Sequence, residues 1–227
     1  MEQRVKTFLR RLKENWTGRP ASFIVMARAL NEKDRAQDLE QSGVLESGVG
    51  ATWEESLAFF DRNGFGGGWG EKMRVAGHRC FVVKHEGAVV AGGWMAYQPE
   101  WAYEVGYLFD CGDDGCYMFG DFVEPAMRGR WLQAKLGRHR LCVAIRDGKK
   151  WTYGLIWEGN APSLKNSERN GLVRAGKISG RFMGPWQRDR VETLTEGVPH
   201  GRFVTRDGRE VGAGRWRWKY APEREAA

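Results

Sequence analysis

The sequence predicts a mixed α/β (α+β) fold in which helices cover a mostly antiparallel central sheet, with a helix before it and a hairpin after it. Three observations carry this prediction. Apolar and polar residues alternate in several short runs separated by turn dipeptides. Two longer stretches show three- and four-residue apolar spacing. Their order is strand, helix, several strands, helix, strand, helix, strand.

Each element follows from its residues. Residues 1–17 read as an amphipathic helix, because Val5, Phe8, Leu9, Leu12 and Trp16 recur at helical steps among arginines and lysines. A strand is expected over 23–30. After a polar loop, Thr52 and Glu55 form a capping box that opens a helix through Phe60, and Asn63-Gly64 closes it. The glycine-rich stretch 64–70 has no lysine or serine at phosphate-loop spacing and reads as a loop. Residues 79–85 and 88–97 flank Glu86-Gly87 as an antiparallel hairpin, and 101–109 with 116–123 form a second pair around Asp114-Gly115. A helix is expected over 128–147, with Leu132, Leu136, His139 and Val143 along one side and Gly148 as its stop. A strand over 151–157, a short helix over 161–170 ended by Gly171, and a strand over 172–182 complete the domain. Beyond Gly184-Pro185 the chain turns polar, and 202–205 with 210–218 flank Asp207-Gly208 as a terminal hairpin. The expected organisation is therefore an N-terminal helix (1–20), a main domain (21–184) and a C-terminal extension (185–227).

The 227 residues carry a formal charge of +7, with 41% hydrophobic residues. That is enough apolar content for one substantial core and too much for a disordered chain. No apolar run approaches the ~20 residues of a membrane-spanning helix. Ala27-Arg28-Ala29 imitates a signal-peptidase site, but the run before it is too short for a signal core, so the expected compartment is the cytoplasm. Four cysteines in such a chain are expected to remain thiols. Cys111 and Cys116 around Gly112-Asp113-Asp114-Gly115 match neither zinc nor calcium spacing, and no metal is expected.

The chemistry concentrates in residues 121–133. A strand ends at Pro125, an Arg128-Gly129-Arg130 turn follows, and a helix begins, with Trp131, Leu132 and Gln133 next in the chain. Free backbone N–H groups, the positive helix end and arginines converge there, which suits an anion such as pyrophosphate. With Val123, Pro125, Arg128 and Gly129, the segment resembles the signature of the GCN5-related N-acetyltransferase (GNAT) superfamily: a valine, one residue, a proline, then Arg/Gln-x-x-Gly-x-Gly/Ala. A second mark agrees with it. Asn160 with Ser163 opens the helix after the next strand, and Gly171-Leu172 ends it.

The resemblance spans about 23–184 and implies an acyltransferase that moves an acetyl or longer acyl group directly from a coenzyme A thioester to an amine. It implies that Arg128, Gly129, Arg130, Trp131, Leu132 and Gln133 hold pyrophosphate through main-chain donors. Phe122 and Val123 would hold the pantetheine arm, and Asn160 and Ser163 would line it. The sequence departs from the signature at Trp131, where the family has its main glycine, and at Gln133. Trp131 could pack away, line an acyl channel or mark a lost donor site.

Direct transfer to an amine requires a base for the amine proton and an acid for the leaving thiolate. Asp121, on the strand leading into the motif, is the first candidate base and Glu104 the second. The family's usual acid, a tyrosine on the late helix, is Ser167 here. Tyr153 or Tyr117 could substitute. His139 reads as a core residue, and His78, His85 and His200 carry no partner signal.

A pI near 9.4, eleven tryptophans and the tail Arg215-Trp216-Arg217-Trp218-Lys219-Tyr220 also suit a nucleic-acid binder. No nucleic-acid module is visible, and basic charge equally suits an anionic cofactor or an acyl carrier protein. The expected partners are an acyl-CoA and an amine-bearing acceptor. A non-catalytic or nucleic-acid-binding protein and a carrier-protein-dependent acyltransferase are the alternatives, and a homodimer is left open.

Overall fold

The computed structural model describes residues 21–31, 42–102, 105–183, 186–205, 208–211 and 213–218. The expected N-terminal helix and Glu104 lie outside these residues.

In chain order the strands are β1 (Ala21–Ala29), β2 (Val44–Glu46), β3 (Arg79–His85), β4 (Ala88–Ala96), β5 (Glu100–Ala102), β6 (Tyr107–Asp110), β7 (Gly115–Val123), β8 (Trp151–Trp157), β9 (Val173–Met183), β10 (Trp186–Thr193), β11 (Arg202–Val204) and β12 (Ala213–Trp218). The helices are α1 (Trp53–Phe60), α2 (Trp69–Val75), α3 (Leu132–Arg146) and α4 (Ala161–Arg169). Among the described residues, one sheet runs in the order β12-β10-β9-β1-β8-β7-β4-β3-β2, and a small second sheet runs β11-β6-β5. Every named strand pairing is antiparallel except that of β7 with β8.

Side-chain alternation sorts the core onto the two faces of the large sheet. On one face, Val25, Ala27, Tyr117 and Tyr153 pack with Phe109 and Phe203 of the small sheet. Phe119 joins that cluster to an aromatic one in which Phe59 and Phe60 of α1 meet Trp69 of α2, Trp94 and Phe122. On the other face, Leu136 and Val143 of α3 pack on Phe81, Met95 and Cys116, and Leu164 of α4 packs on Ile24 and Met26. Covered on both sides, β4 is buried along almost its whole length.

Local signals hold where they are chemical. Thr52 Oγ1 accepts the Glu55 N–H while Glu55 accepts the Thr52 N–H, so the capping box starts α1, and Asn63 Nδ2 donates to Phe59 O at 2.8 Å near its end. Three expectations are corrected. The stretch read as a loop gives way to α2, starting at Trp69. The strands around Asp114-Gly115 do not pair with each other: β6 belongs to the small sheet, and β7 lies between β4 and β8. The terminal hairpin divides in the same way. β11 pairs with β6 and β12 with β10, and among the described residues the hairpin itself is short: Val204 bridges Glu210, the Thr205 N–H donates to Arg209 O at 2.9 Å and the Val211 N–H to Phe203 O at 2.7 Å. The polar stretch after 185 forms β10, which adds to the large sheet beside β9.

Candidate functional site

The parallel pair β7/β8 opens partway along its length. Gly115 to Met118 pair with Trp151 to Gly154. Beyond that point β7 stays with β4, through Phe119, Phe122 and Val123, while β8 stays with β1, through Leu155, Ile156 and Trp157. Two strand edges therefore face one another without bonding, and their N–H and C=O groups are available to an extended ligand. A bulge in the β4/β7 ladder marks the parting. Gly120 lies in it with φ +63°, and a Cβ there would meet Trp69 Cη2 at 2.7 Å, so both backbone conformation and space require glycine.

The open end of this gap leads to the start of α3. After a 3₁₀ turn over Pro125–Met127, Arg128 folds back so that its Nε donates to Val123 O at 3.3 Å and its guanidinium lies over the Phe122 ring. Gly129 has φ +80° and Trp131 φ +61°. Trp131 thus occupies a backbone conformation that glycine adopts freely and that costs a bulky residue on the order of 1–3 kcal/mol. It is the N-cap of α3 but makes no side-chain cap bond, and the first helical bond runs from Lys135 N to Trp131 O at 3.0 Å. The N–H groups of Leu132, Gln133 and Ala134 have no acceptor among the described residues. The exposed Arg130 stands beside them. Free amides at a helix start beside a cation are groups that can receive an anion. On the β8 side, Asn160 Oδ1 accepts the Ser163 N–H at 3.3 Å, so Asn160 caps α4 and is held where the chain leaves the gap.

The candidate proton-transfer residues fall on different faces. Asp121 points toward α3, where its two oxygens meet Arg140 Nη1 at 2.7 Å and Nη2 at 2.8 Å. The Arg140 side chain is 1% exposed and that of Asp121 26%. Arg140 Nη1 also donates to Trp94 O at 2.9 Å. Gly93 makes room for the pair, since a Cβ there would overlap Asp121 Oδ1 and lie 2.7 Å from Arg140 Nη1. The carboxylate of this candidate base is therefore also the counter-charge of a buried arginine.

Tyr153 lies on the opposite face, at the closed end of the gap, in register with Tyr117. Burial pushes its phenol up to about 12, so it keeps its proton across the physiological range. Ser167 lies on α4, on the α3 side of the sheet, and Tyr153 on the other.

Sequence reasoning missed two features. His78 Nε2 and Glu100 Oε2 meet at 2.5 Å, both buried, with the imidazole edge against Phe119. Their separation in sequence leaves no local signal. A cleft of about 290 Å³ lies between α3 and α4, rimmed by Arg28, Arg138 and Arg169 over Leu141 and Cys142.

Comparison with solved structures finds this fold in a GNAT-family acetyltransferase from Novosphingobium aromaticivorans, at 14% identity and a TM-score of 0.51, over 78% of this chain and 66% of that one. A GCN5-related N-acetyltransferase from Sphaerobacter thermophilus is similar at 15% identity and a TM-score of 0.46, over 75% of this chain and 54% of that one. The chain thus spans 66% and 54% of the lengths of these two structures. No protein-family model and no curated protein matches the chain. The architecture is that of the GNAT fold, a mostly antiparallel sheet with one parallel pair and helices on both faces.

Proposed function

We propose that the chain is a divergent GNAT-type acyltransferase that moves an acetyl or longer acyl group from a coenzyme A thioester to an amine. One observation carries the reading: the β7/β8 gap ends at an uncapped helix start flanked by arginines, which combines an edge for an extended arm with a site for a diphosphate. The residues present fit such a donor. The free amides of Leu132, Gln133 and Ala134, with Arg130, would hold the diphosphate. Trp131 keeps the glycine-like backbone of the signature and leaves its ring in solvent, so it need not block the approach. The unpaired edge at Phe122 and Val123 would hold the pantetheine arm, with Asn160 and Ser163 on the other side.

For proton transfer, Tyr153 is the proposed acid, because a buried neutral phenol at the closed end of the gap can donate to a leaving thiolate. With Asp121 committed to Arg140, Glu104 is the proposed base. Four buried free thiols suit a reducing compartment, and the cytoplasm is the proposed location.

The test is thiol release from acetyl-coenzyme A in the presence of a panel of polyamines, amino sugars and peptide amines. Release above background hydrolysis with at least one amine, lost in Arg130→Glu, is expected. Release with none of them, from acetyl or longer acyl thioesters, would overturn the reading.

A further inference from the structure

The two faces of the sheet offer an incoming amine different access to the gap. On one side stand α3 and the Asp121–Arg140 pair. On the other, Phe109 of the small sheet lies against Tyr117 and Tyr153 at the closed end. That cover is incomplete where the strands part. Phe119 and Leu155 follow two residues after Tyr117 and Tyr153, on the same face, and both are half-buried.

Aromatic rings gather at this place. Trp69 of α2 lies over the bulge, close enough that a Cβ at Gly120 would meet its Cη2 at 2.7 Å, and its ring centroid is 6.2 Å from that of Phe119. Phe65 stands 4.9 Å from Trp69 and 6.1 Å from Phe122, centroid to centroid. Phe65, Trp69, Phe119 and Phe122 are all half-buried, so each keeps part of its ring open.

Counter-charge is scarce there. The elements that supply or adjoin these rings are β1, β7, β8, α2 and the segment 61–65, and their carboxylates are Asp61, Glu71 and Asp121. Asp121 is bound to Arg140 and Glu71 to Arg74, whereas Asp61, exposed at the end of α1, has no ion pair among the described residues. Glu100 is likewise committed to His78, whose ring lies against Phe119. Such a chamber gains by burying an apolar body. A second ammonium would lose water there without a partner, and sugar hydroxyls would lose hydrogen bonds.

We propose that Phe65, Trp69, Phe119 and Phe122 select the acceptor, a primary amine carried on one aromatic ring or on an apolar body of that size, and discriminate against polyamines and amino sugars. The inference rests on the acyltransferase reading for the reaction and adds the class of its acceptor. In the transfer the amine nitrogen bonds to the acyl carbon and the acyl C–S bond breaks. The amine gives up one proton and the leaving sulfur takes one up.

The test is thiol release from acetyl-coenzyme A by the full chain with 2-phenylethylamine, spermidine and glucosamine, beside calorimetric titration of each amine with coenzyme A present. The kcat/KM for 2-phenylethylamine is expected to exceed that for the other two by at least about tenfold. Phe65→Glu, which adds a carboxylate to the chamber, should shift the ranking toward spermidine, and Trp69→Leu should weaken 2-phenylethylamine most. The parent protein's ranking decides the proposal even where a variant fails to fold. Equal or higher kcat/KM with spermidine or glucosamine would overturn the selection and leave the acyltransferase reading standing. Binding of 2-phenylethylamine alone, weakened in Trp69→Leu and without thiol release, would uphold the chamber and remove the acyltransferase. Neither binding nor release with any of the three would overturn both.

Discussion

Replacing Asp121 by asparagine separates two roles that the sequence alone leaves open. If Asp121 is the counter-charge of Arg140, the substitution keeps the side-chain shape but leaves a guanidinium that is 1% exposed without a negative partner. Breaking a buried ion pair by removing one member costs about 3–5 kcal/mol. The Asp121 side chain is 26% exposed, and Arg140 retains Trp94 O at 2.9 Å, so the lower end, about 3 kcal/mol, applies. In a chain of 227 residues that corresponds to a fall in Tm of roughly 6–12 °C. Scanning calorimetry and denaturant titration of Asp121→Asn read this directly. The companion Asp121→Asn, Arg140→Met should recover most of the loss, because the unpaired charge is then gone. An Asp121→Asn protein with the parent Tm, but with turnover reduced and its pH profile displaced, would refute the argument and restore Asp121 as the base.

Three further outcomes follow from particular residues. His139 is pulled down to about 4, chiefly by burial, against 6.5 for a free imidazole. The unfolded chain therefore binds a proton that the fold refuses, so stability is full above pH 6.5 and declines by up to about 3 kcal/mol as pH falls to 4. His139→Leu should flatten that part of the Tm–pH curve, and an unchanged curve would contradict the assignment. Trp131→Gly should hold or raise stability by about 1 kcal/mol, because it removes left-handed strain at an exposed site; a clear fall in Tm would mean that the indole packs in solution. Tyr153→Phe should leave donor affinity unchanged and lower turnover by about a hundredfold, the lower end for a lost general acid; parent turnover would remove Tyr153 from the chemistry.

What the sequence made legible was local. Strand β8 falls on the expected residues 151–157, the Thr52/Glu55 capping box starts α1, and Asn160 starts α4, because each depends on neighbours a few residues apart. The region where α3 starts was also legible, since proline, arginines and glycine converge there before any tertiary contact, but the helix was expected from 128 and begins at Leu132. Pairing was not. Asp114-Gly115 makes a turn as its chemistry requires, but a turn does not say which strand its flanks will join. Helix α2 escaped notice because glycines surround its seven residues, and its hold comes from Trp69 packing on Phe60 and Trp94. The pairs Asp121–Arg140 and His78–Glu100 join residues that no periodicity links. A buried arginine in a basic helix reads as one more surface charge until the strand beneath it is known.

The most direct test of the central claim is calorimetric titration of the full chain with acetyl-coenzyme A, beside the Arg130→Glu variant. The account predicts one site with affinity in the micromolar range, weakened at least about tenfold when a negative charge replaces Arg130 beside the free amides of α3. No heat of binding up to millimolar ligand, or binding indifferent to Arg130→Glu, would contradict it.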